Sequence, residues 1–144
     1  MRLLDCSVVD RTLVIVKPDG VERRLVGEIV GRIERKLLTI TAAELRMIDR
    51  DTAQHHYVEH LGRPYFDGLV EFIIRSRSLV MVVEGPQDTW RVVRSLIGAT
   101  NPSEAAPGTI RGDLGIETRE NLIHGSDSLE SAQREIAIFF PHLA

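Results

Sequence analysis

The chain predicts an α/β sandwich, a sheet with helices packed against it. Three observations carry that expectation: β-branched apolar runs that end in turn residues, longer segments with apolar residues at helical spacing, and a regular alternation of the two. No internal repeat or low-complexity stretch interrupts the pattern. At 144 residues, one domain over 1–144 is the simplest organisation, and a chain of this size buries roughly two-thirds of the surface its unfolded form exposes.

Thr12–Val16 is a β-branched apolar run stopped by Lys17-Pro18-Asp19-Gly20, and reads as a buried central strand entering a turn. Lys17 then lies at the strand's carboxyl end. From Leu25 to Leu38, residues Leu25, Ile29, Ile33 and Leu37 recur every four positions and mark the buried stripe of a helix. Ile40–Ile48 follows a short turn and half-alternates, which favours a strand. Asp49 or Asp51 is expected to cap a helix running to about Leu61, with Ala53, Tyr57 and Leu61 on one face. Gly62-Arg63-Pro64 breaks it, and Phe66–Ile74 reads as another short helix. Leu79–Gly85 is a second buried strand with a glycine stop. Asp88–Gly98 predicts a helix with Trp90, Val93 and Ile97 on one face and Gly98 ending it. Ala99–Glu117 reads as a long loop, and such a loop within a compact domain is more often functional than filler. Leu122–His124 predicts the last strand, followed by a helix from about Ser128 to Phe140 that buries Leu129, Ala132, Ile136 and Phe139.

Composition narrows the function. A formal charge of -3 with interspersed signs offers no global basic field, so nucleic-acid binding is not indicated. Cys6 is the only cysteine, which excludes an intramolecular disulfide and any multi-cysteine metal site and fits a reducing compartment. Met1–Cys6 has no apolar core of secretory length, and no run approaches a membrane span, so a soluble cytoplasmic protein is expected. Of 18 Lys and Arg residues only Lys17 and Lys36 are lysine, which draws attention to a lysine inside an apolar strand's end.

The chain contains no Gly-x-x-x-x-Gly-Lys-Ser/Thr loop, no Gly-x-Gly-x-x-Gly fingerprint, no His-Glu-x-x-His helix and no Gly-x-Ser-x-Gly elbow. Phosphate chemistry therefore needs other groups. Lys17, Arg94, Thr100-Asn101-Pro102 and Pro107-Gly108-Thr109-Ile110-Arg111-Gly112-Asp113 offer cations, hydroxyls and backbone N–H groups. Asn121-Leu122-Ile123-His124-Gly125-Ser126-Asp127 sets an imidazole at the end of an apolar run, just before a helix-start signal. An imidazole of pKa about 6.5 is mostly neutral at pH 7 and carries a lone pair that can serve as a nucleophile. The following helix would turn its partly positive N-terminus toward an anion meeting that ring. Taken singly, each residue keeps a plainer reading: Arg94 as solvated helix surface, the Gly108–Asp113 segment as an ordinary turn. His55, His56 and His60 read as a surface cluster, because the pattern forces no carboxylate onto their face.

Together these segments carry a resemblance. Leu13-Val14-Ile15-Val16-Lys17-Pro18-Asp19-Gly20-Val21, the His56-Tyr57 pair, Arg63-Pro64-Tyr65-Phe66-Asp67-Gly68-Leu69-Val70, Gly98-Ala99-Thr100-Asn101-Pro102, the Pro107–Asp113 segment and Asn121–Ser128 occur in the order found in nucleoside diphosphate kinases. The chain resembles that family from about Thr12 to Phe140. The resemblance implies a transferase that passes the terminal phosphate of a nucleoside triphosphate, typically ATP, to a nucleoside diphosphate by a ping-pong mechanism through a phosphohistidine on His124. It implies that Lys17, Arg94, Arg111 and Thr100 contact phosphates, that Asn121 bonds the ribose and helps seat the phosphates, and that Tyr65 and Leu69 sandwich the base. Tyr57 and Glu135 would orient the active histidine, with Ser126 at the transferred group. Mg2+ is expected, bound mainly through nucleotide phosphates, with no metal ligand assigned to the protein. A homo-oligomer is expected, a hexamer favoured and a tetramer possible. The fold implied is a ferredoxin-like four-stranded antiparallel sheet, βαββαβ, covered by helices. Arg75-Ser76-Arg77-Ser78 departs from the family's frequent Gly-Pro turn, and Tyr65 stands where Phe is frequent. A regulatory module acting through partners or single-stranded nucleic acid is the competing class, but the strands lack paired exposed aromatics and aromatic content is 5%.

Overall fold

The computed structural model describes residues 8–144, so the reading of Met1–Cys6 lies outside the described residues. Four strands, β1 (Asp10–Val16), β2 (Thr39–Arg46), β3 (Ser78–Gly85) and β4 (Ile123–Gly125), form one antiparallel sheet in the order β2-β3-β1-β4. The helices are α1 (Pro18–Glu22), α2 (Val26–Arg35), α3 (Arg50–His56), α4 (Phe66–Ile74), α5 (Thr89–Ile97), α6 (Ile110–Leu114) and α7 (Leu129–Phe139). The arrangement is the ferredoxin-like sheet that the family resemblance implies, within the α/β sandwich read from the residues.

Side chains of a strand alternate between the two faces of the sheet. Leu13, Ile15, Val80 and Val82 join Ala53, Val70, Ile73 and Ile136 from α3, α4 and α7 in one core layer. Val14, Val16, Met81 and Val83 join Ile29, Ile33, Val93 and Ile97 from α2 and α5 in the other. Helices on both faces explain why β1 and β3 read as continuous apolar runs. β2 is an edge strand without a fully buried residue, and its ladder to β3 shifts between Ile40 and Ala42.

Periodicity locates faces better than ends. α2 stops at Arg35, so the expected stripe holds at Ile29 and Ile33 and fails at Leu37, which adopts φ 64° beyond the helix and is 89% exposed. Leu38 enters the core instead. Asp49 is the cap of α3, accepting the Thr52 N–H at 2.8 Å, but α3 ends at His56, a 3-10 turn over Val58–His60 follows, and Leu61 is exposed. α5 buries Thr89, Val93 and Ile97, while Trp90 lies on the half-buried flank under the Arg91 guanidinium. Leu129 sits in the first, exposed turn of α7, and Glu135 joins Ala132, Ile136 and Phe139 inside. The segment read as an unbroken loop contains α6, whose N–H at Gly112 is capped by Thr109 Oγ1 at 3.0 Å. Lys17-Pro18-Asp19-Gly20 opens α1 rather than a simple turn, with Pro18 at the first helical position, where a missing N–H costs nothing. Among the described residues, no helix is long and apolar enough to cross a membrane.

Candidate active site

His124 is mounted on β4 opposite Ile15 of β1. Alternation sends its neighbour Ile123 into the α5 layer and the imidazole to the other face. Gly125 lets β4 lie close on α5: a Cβ there would stand 2.8 Å from Ile97 Cδ1 and 3.2 Å from Val93 Cγ1, so a side chain would make those neighbours shift. The entry to β4 is held in an uncommon conformation. Leu122 has φ 74°, and both of its backbone polar groups are occupied: its N–H donates to Asp19 Oδ2 at 3.0 Å, and its carbonyl accepts the Lys17 N–H at 2.9 Å. The left-handed region costs a residue with a side chain roughly 1–2 kcal/mol, and these bonds from the β1–α1 junction hold it there.

That kink brings Lys17 and Asn121 together. Lys17 Nζ donates to Asn121 Oδ1 at 2.9 Å, and Asn121 Nδ2 donates to the Thr100 carbonyl at 3.1 Å. Arg111, 4% exposed, donates from Nε to the Asn121 carbonyl at 3.1 Å and from Nη2 to the Ile123 carbonyl at 2.6 Å. Arg94 on α5 reaches the Gly125 carbonyl at 3.4 Å. Lys17, Arg94, Thr100, Arg111 and Asn121, with His124, Glu135, Tyr57, Tyr65 and Leu69, line one cavity of about 1070 Å³. Helical spacing could place Arg94 only on a face; the tertiary fold brings it beside β4.

Imidazole Nε2 of His124 bonds Glu135 Oε1 from α7. A carboxylate partner assigns the ring proton to Nε2 and leaves the lone pair on Nδ1. Burial foremost, then the charges of Lys17, Arg94 and Arg111, lower the His124 pKa to about 3, so the ring is neutral at pH 7. Burial also raises the Glu135 pKa. Burial and then the repulsion of Arg111 lower Lys17 to about 8, with Asp19 opposing them, and burial and Arg94 bring Arg111 to about 10. The cavity therefore presents a neutral nucleophilic nitrogen beside several cations.

Ser126, expected at the transferred group, is instead 1% exposed and absent from the cavity wall: its hydroxyl lies 3.3 Å from both the Leu13 N–H nitrogen and Glu135 Oε1. It supports the carboxylate that supports the imidazole. Tyr57 lines the cavity, but its ring pairs with His56 at 4.6 Å. His56 corrects the surface-cluster reading: it is 5% exposed and meets the His124 ring edge-on at 4.7 Å, while His55 and His60 are exposed or half-exposed. The residues missed by sequence reasoning are thus Asp19 and His56, and both lay in segments already singled out. At Arg75-Ser76, the guanidinium and hydroxyl bond Glu22 at 2.7 Å each, and Arg75 also pairs with Glu120 at 2.8 Å. These exposed pairs tie α1 and α4 to the segment before Asn121, and contribute little stability individually.

A strand-mounted imidazole facing a cluster of cations defines an enzyme that handles phosphorylated substrates. The sequence profile described as nucleoside diphosphate kinase matches residues 10–144. A nucleoside diphosphate kinase of Mycobacterium avium (strain 104) is 58% identical across 92% of this chain and 97% of its own length, and one of Rhodococcus jostii (strain RHA1) is 58% identical across 94% and 97%. The solved structure of a halophilic nucleoside diphosphate kinase from Halobacterium salinarum in complex with CDP superposes with TM-score 0.89 at 50% identity, covering 92% of this chain and 88% of that one. The chain belongs to the nucleoside diphosphate kinase family. It is a nucleotide-binding phosphotransferase whose substrates are nucleoside tri- and diphosphates.

Proposed function

We propose that His124 is the phosphoryl carrier of a ping-pong reaction. Nδ1 attacks the terminal phosphorus of a nucleoside triphosphate, typically ATP; an N–P bond forms, the P–O bond breaks, and the nucleoside diphosphate leaves with the bond's electrons. A second nucleoside diphosphate then attacks the phosphohistidine and restores the imidazole. The observation that carries this reading is the pairing of His124 Nε2 with Glu135, which leaves Nδ1 as the basic nitrogen of a neutral ring among Lys17, Arg94 and Arg111. Those cations take the phosphates with Thr100, and Asn121 takes the ribose and helps seat the phosphates. Tyr65 and Leu69 hold the base. Glu135 orients the imidazole, with Ser126 behind it and Tyr57 acting through His56.

Mg2+ is proposed as the cofactor, carried by the nucleotide. The cavity's cluster of ligating side chains, His56, His124 and Glu135, is nitrogen-rich, whereas Mg2+ prefers an octahedron of oxygens and commonly binds through substrate phosphates. When bound, it neutralises phosphate charge. We further infer one domain over 1–144, supported by the single sheet shared by both core layers. We also infer a cytoplasmic setting, where nucleotide pools lie, and a homo-oligomer with a hexamer favoured over a tetramer. Half-exposed Leu45 and Met47 at the edge strand, and the exposed Ile116, support subunit contacts; light scattering after size exclusion gives the mass.

The decisive experiment incubates the chain with labelled ATP and Mg2+. Acid-labile, base-stable label on the wild type, discharged by a deoxynucleoside diphosphate and missing from His124→Ala, is expected. Wild-type protein that binds nucleotide yet forms no phosphohistidine would end this reading.

A further inference from the structure

His56 poses a problem that phosphoryl transfer does not solve. It is 5% exposed, and neither Nδ1 nor Nε2 has a hydrogen-bond partner. Buried polar atoms are ordinarily paired, and a phenylalanine would occupy similar space without leaving two of them orphaned. The ring is wedged between Tyr57 at 4.6 Å and Phe139 at 5.3 Å, edge-on to His124 at 4.7 Å. One ligand atom each from His56, His124 and Glu135 lies within 4.8 Å of the others, and all three residues line the cavity. Burial keeps His56 neutral, so it has a lone pair to offer.

We propose that His56, His124 and Glu135 form an inhibitory site for a zinc-class divalent cation, its fourth position left to water or a phosphate oxygen. Two imidazole nitrogens and a carboxylate oxygen suit Zn2+ and its first-row neighbours, with three protein ligands leaving one position open. Zinc ligands at about 2.0–2.1 Å from the ion stand roughly 3.3 Å apart in a tetrahedron, so the cluster has to close by about an ångström or a little more. The inhibition rests on the reading of Nδ1 as nucleophile; the binding does not. Metal at Nε2 takes the lone pair of that nitrogen, and the neutral ring's single proton moves to Nδ1. Glu135 exchanges an N–H partner for the ion. No proton is released or consumed, yet the nitrogen that attacks phosphorus no longer has a free pair. Mg2+, with its preference for oxygen, leaves this tautomer unchanged.

The test uses the full chain without nucleotide and zinc chloride as the probe. Equilibrium dialysis is expected to give one ion per chain that weakens in both His56→Phe and His56→Gln, and Co2+ in its place is expected to give the visible absorption of a four-coordinate site. Loss of an orienting outer partner alone weakens metal binding roughly 10–100-fold, so loss of a direct ligand should exceed about 100-fold. Zinc should also block labelling of His124 by ATP and Mg2+, and a chelator should restore it. Unchanged zinc affinity in both His56 variants, with melting curves showing them folded, overturns the site, and zinc bound through His56 that leaves labelling intact overturns the inhibition. Phosphohistidine without any zinc binding sinks this inference and leaves the catalytic reading standing. Zinc bound as expected by a chain that never becomes labelled sinks the catalytic reading and the inhibition, but supports the site.

Discussion

At one wall of the cavity Arg111 and Asn121 are each 4% exposed and bonded to backbone or to Lys17; at the other Tyr65 is 51% exposed, with one side-chain hydrogen bond, between its hydroxyl and His60 Nδ1 at 3.1 Å. The cationic wall is assembled from the β1–α1 junction, the segment entering β4, α5 and α6, and its donors are fixed by carbonyl oxygens before any ligand arrives. The aromatic wall belongs to one helix, α4, and the residue preceding it. The difference matches the proposed chemistry. Phosphates and ribose are common to nucleotide substrates, so preorganised donors lower the barrier for all of them. Bases differ, and stacking on an aromatic face accepts any of them.

The comparison breaks most visibly at Arg111. Arg111→Met removes the fork that grips the Asn121 and Ile123 carbonyls together with a phosphate-facing charge, and should lower kcat/KM about 10²–10³-fold, the loss typical of one preorganised donor. Steady-state kinetics decides it, and a loss under tenfold would mean that the wall is not preorganised. Tyr65→Ala tests the opposite wall. Stacking contributes about 1–3 kcal/mol per base, so KM should rise roughly 5- to 150-fold while kcat stays within about twofold; an equal fall in kcat would show that the ring also positions the phosphates.

A pH titration sharpens the contrast further. Lys17 has its pKa lowered to about 8 by burial and Arg111, so in the free protein its charge is lost as pH rises through that value. A bound phosphate favours the ammonium and raises the pKa. Nucleotide binding above pH 8 should therefore take up a proton, and affinity should fall by up to about tenfold per pH unit until the bound-state pKa is passed. Calorimetry in two buffers of different ionisation enthalpy measures the uptake; equal heats would remove Lys17 from the phosphate site. Tyr65→Phe should have the smallest effect, a KM change below about twofold, since only the exposed hydroxyl bond to His60 is lost. A larger change would make that bond part of base selection.

The architecture was legible because its signals are local. β1, β3, α4 and α5 appear where runs and periodicity place them, since a fully buried strand must be apolar and a packed helix must carry a stripe. Leu37 and Leu61 were misplaced because an apolar residue extends a pattern whether or not the backbone continues the helix, and Leu129 because the first turn of α7 extends past the core that the rest of the helix covers. Most candidate site residues converge on the cavity, while Ser126 lies behind it. The role of Asp19 was not legible, because it depends on a kink at Leu122, 103 residues away.

Sequence alone determined the sandwich, the imidazole on its last strand and the residue types that phosphate chemistry requires, since each follows from composition over a few neighbouring positions. Only the tertiary structure decided which nitrogen of His124 faces Glu135, that Ser126 stands behind that carboxylate, and that His56 is buried against the same ring. Those outcomes depend on α3 and α7 meeting over the sheet, and packing between segments distant in the chain leaves no period in the sequence to read.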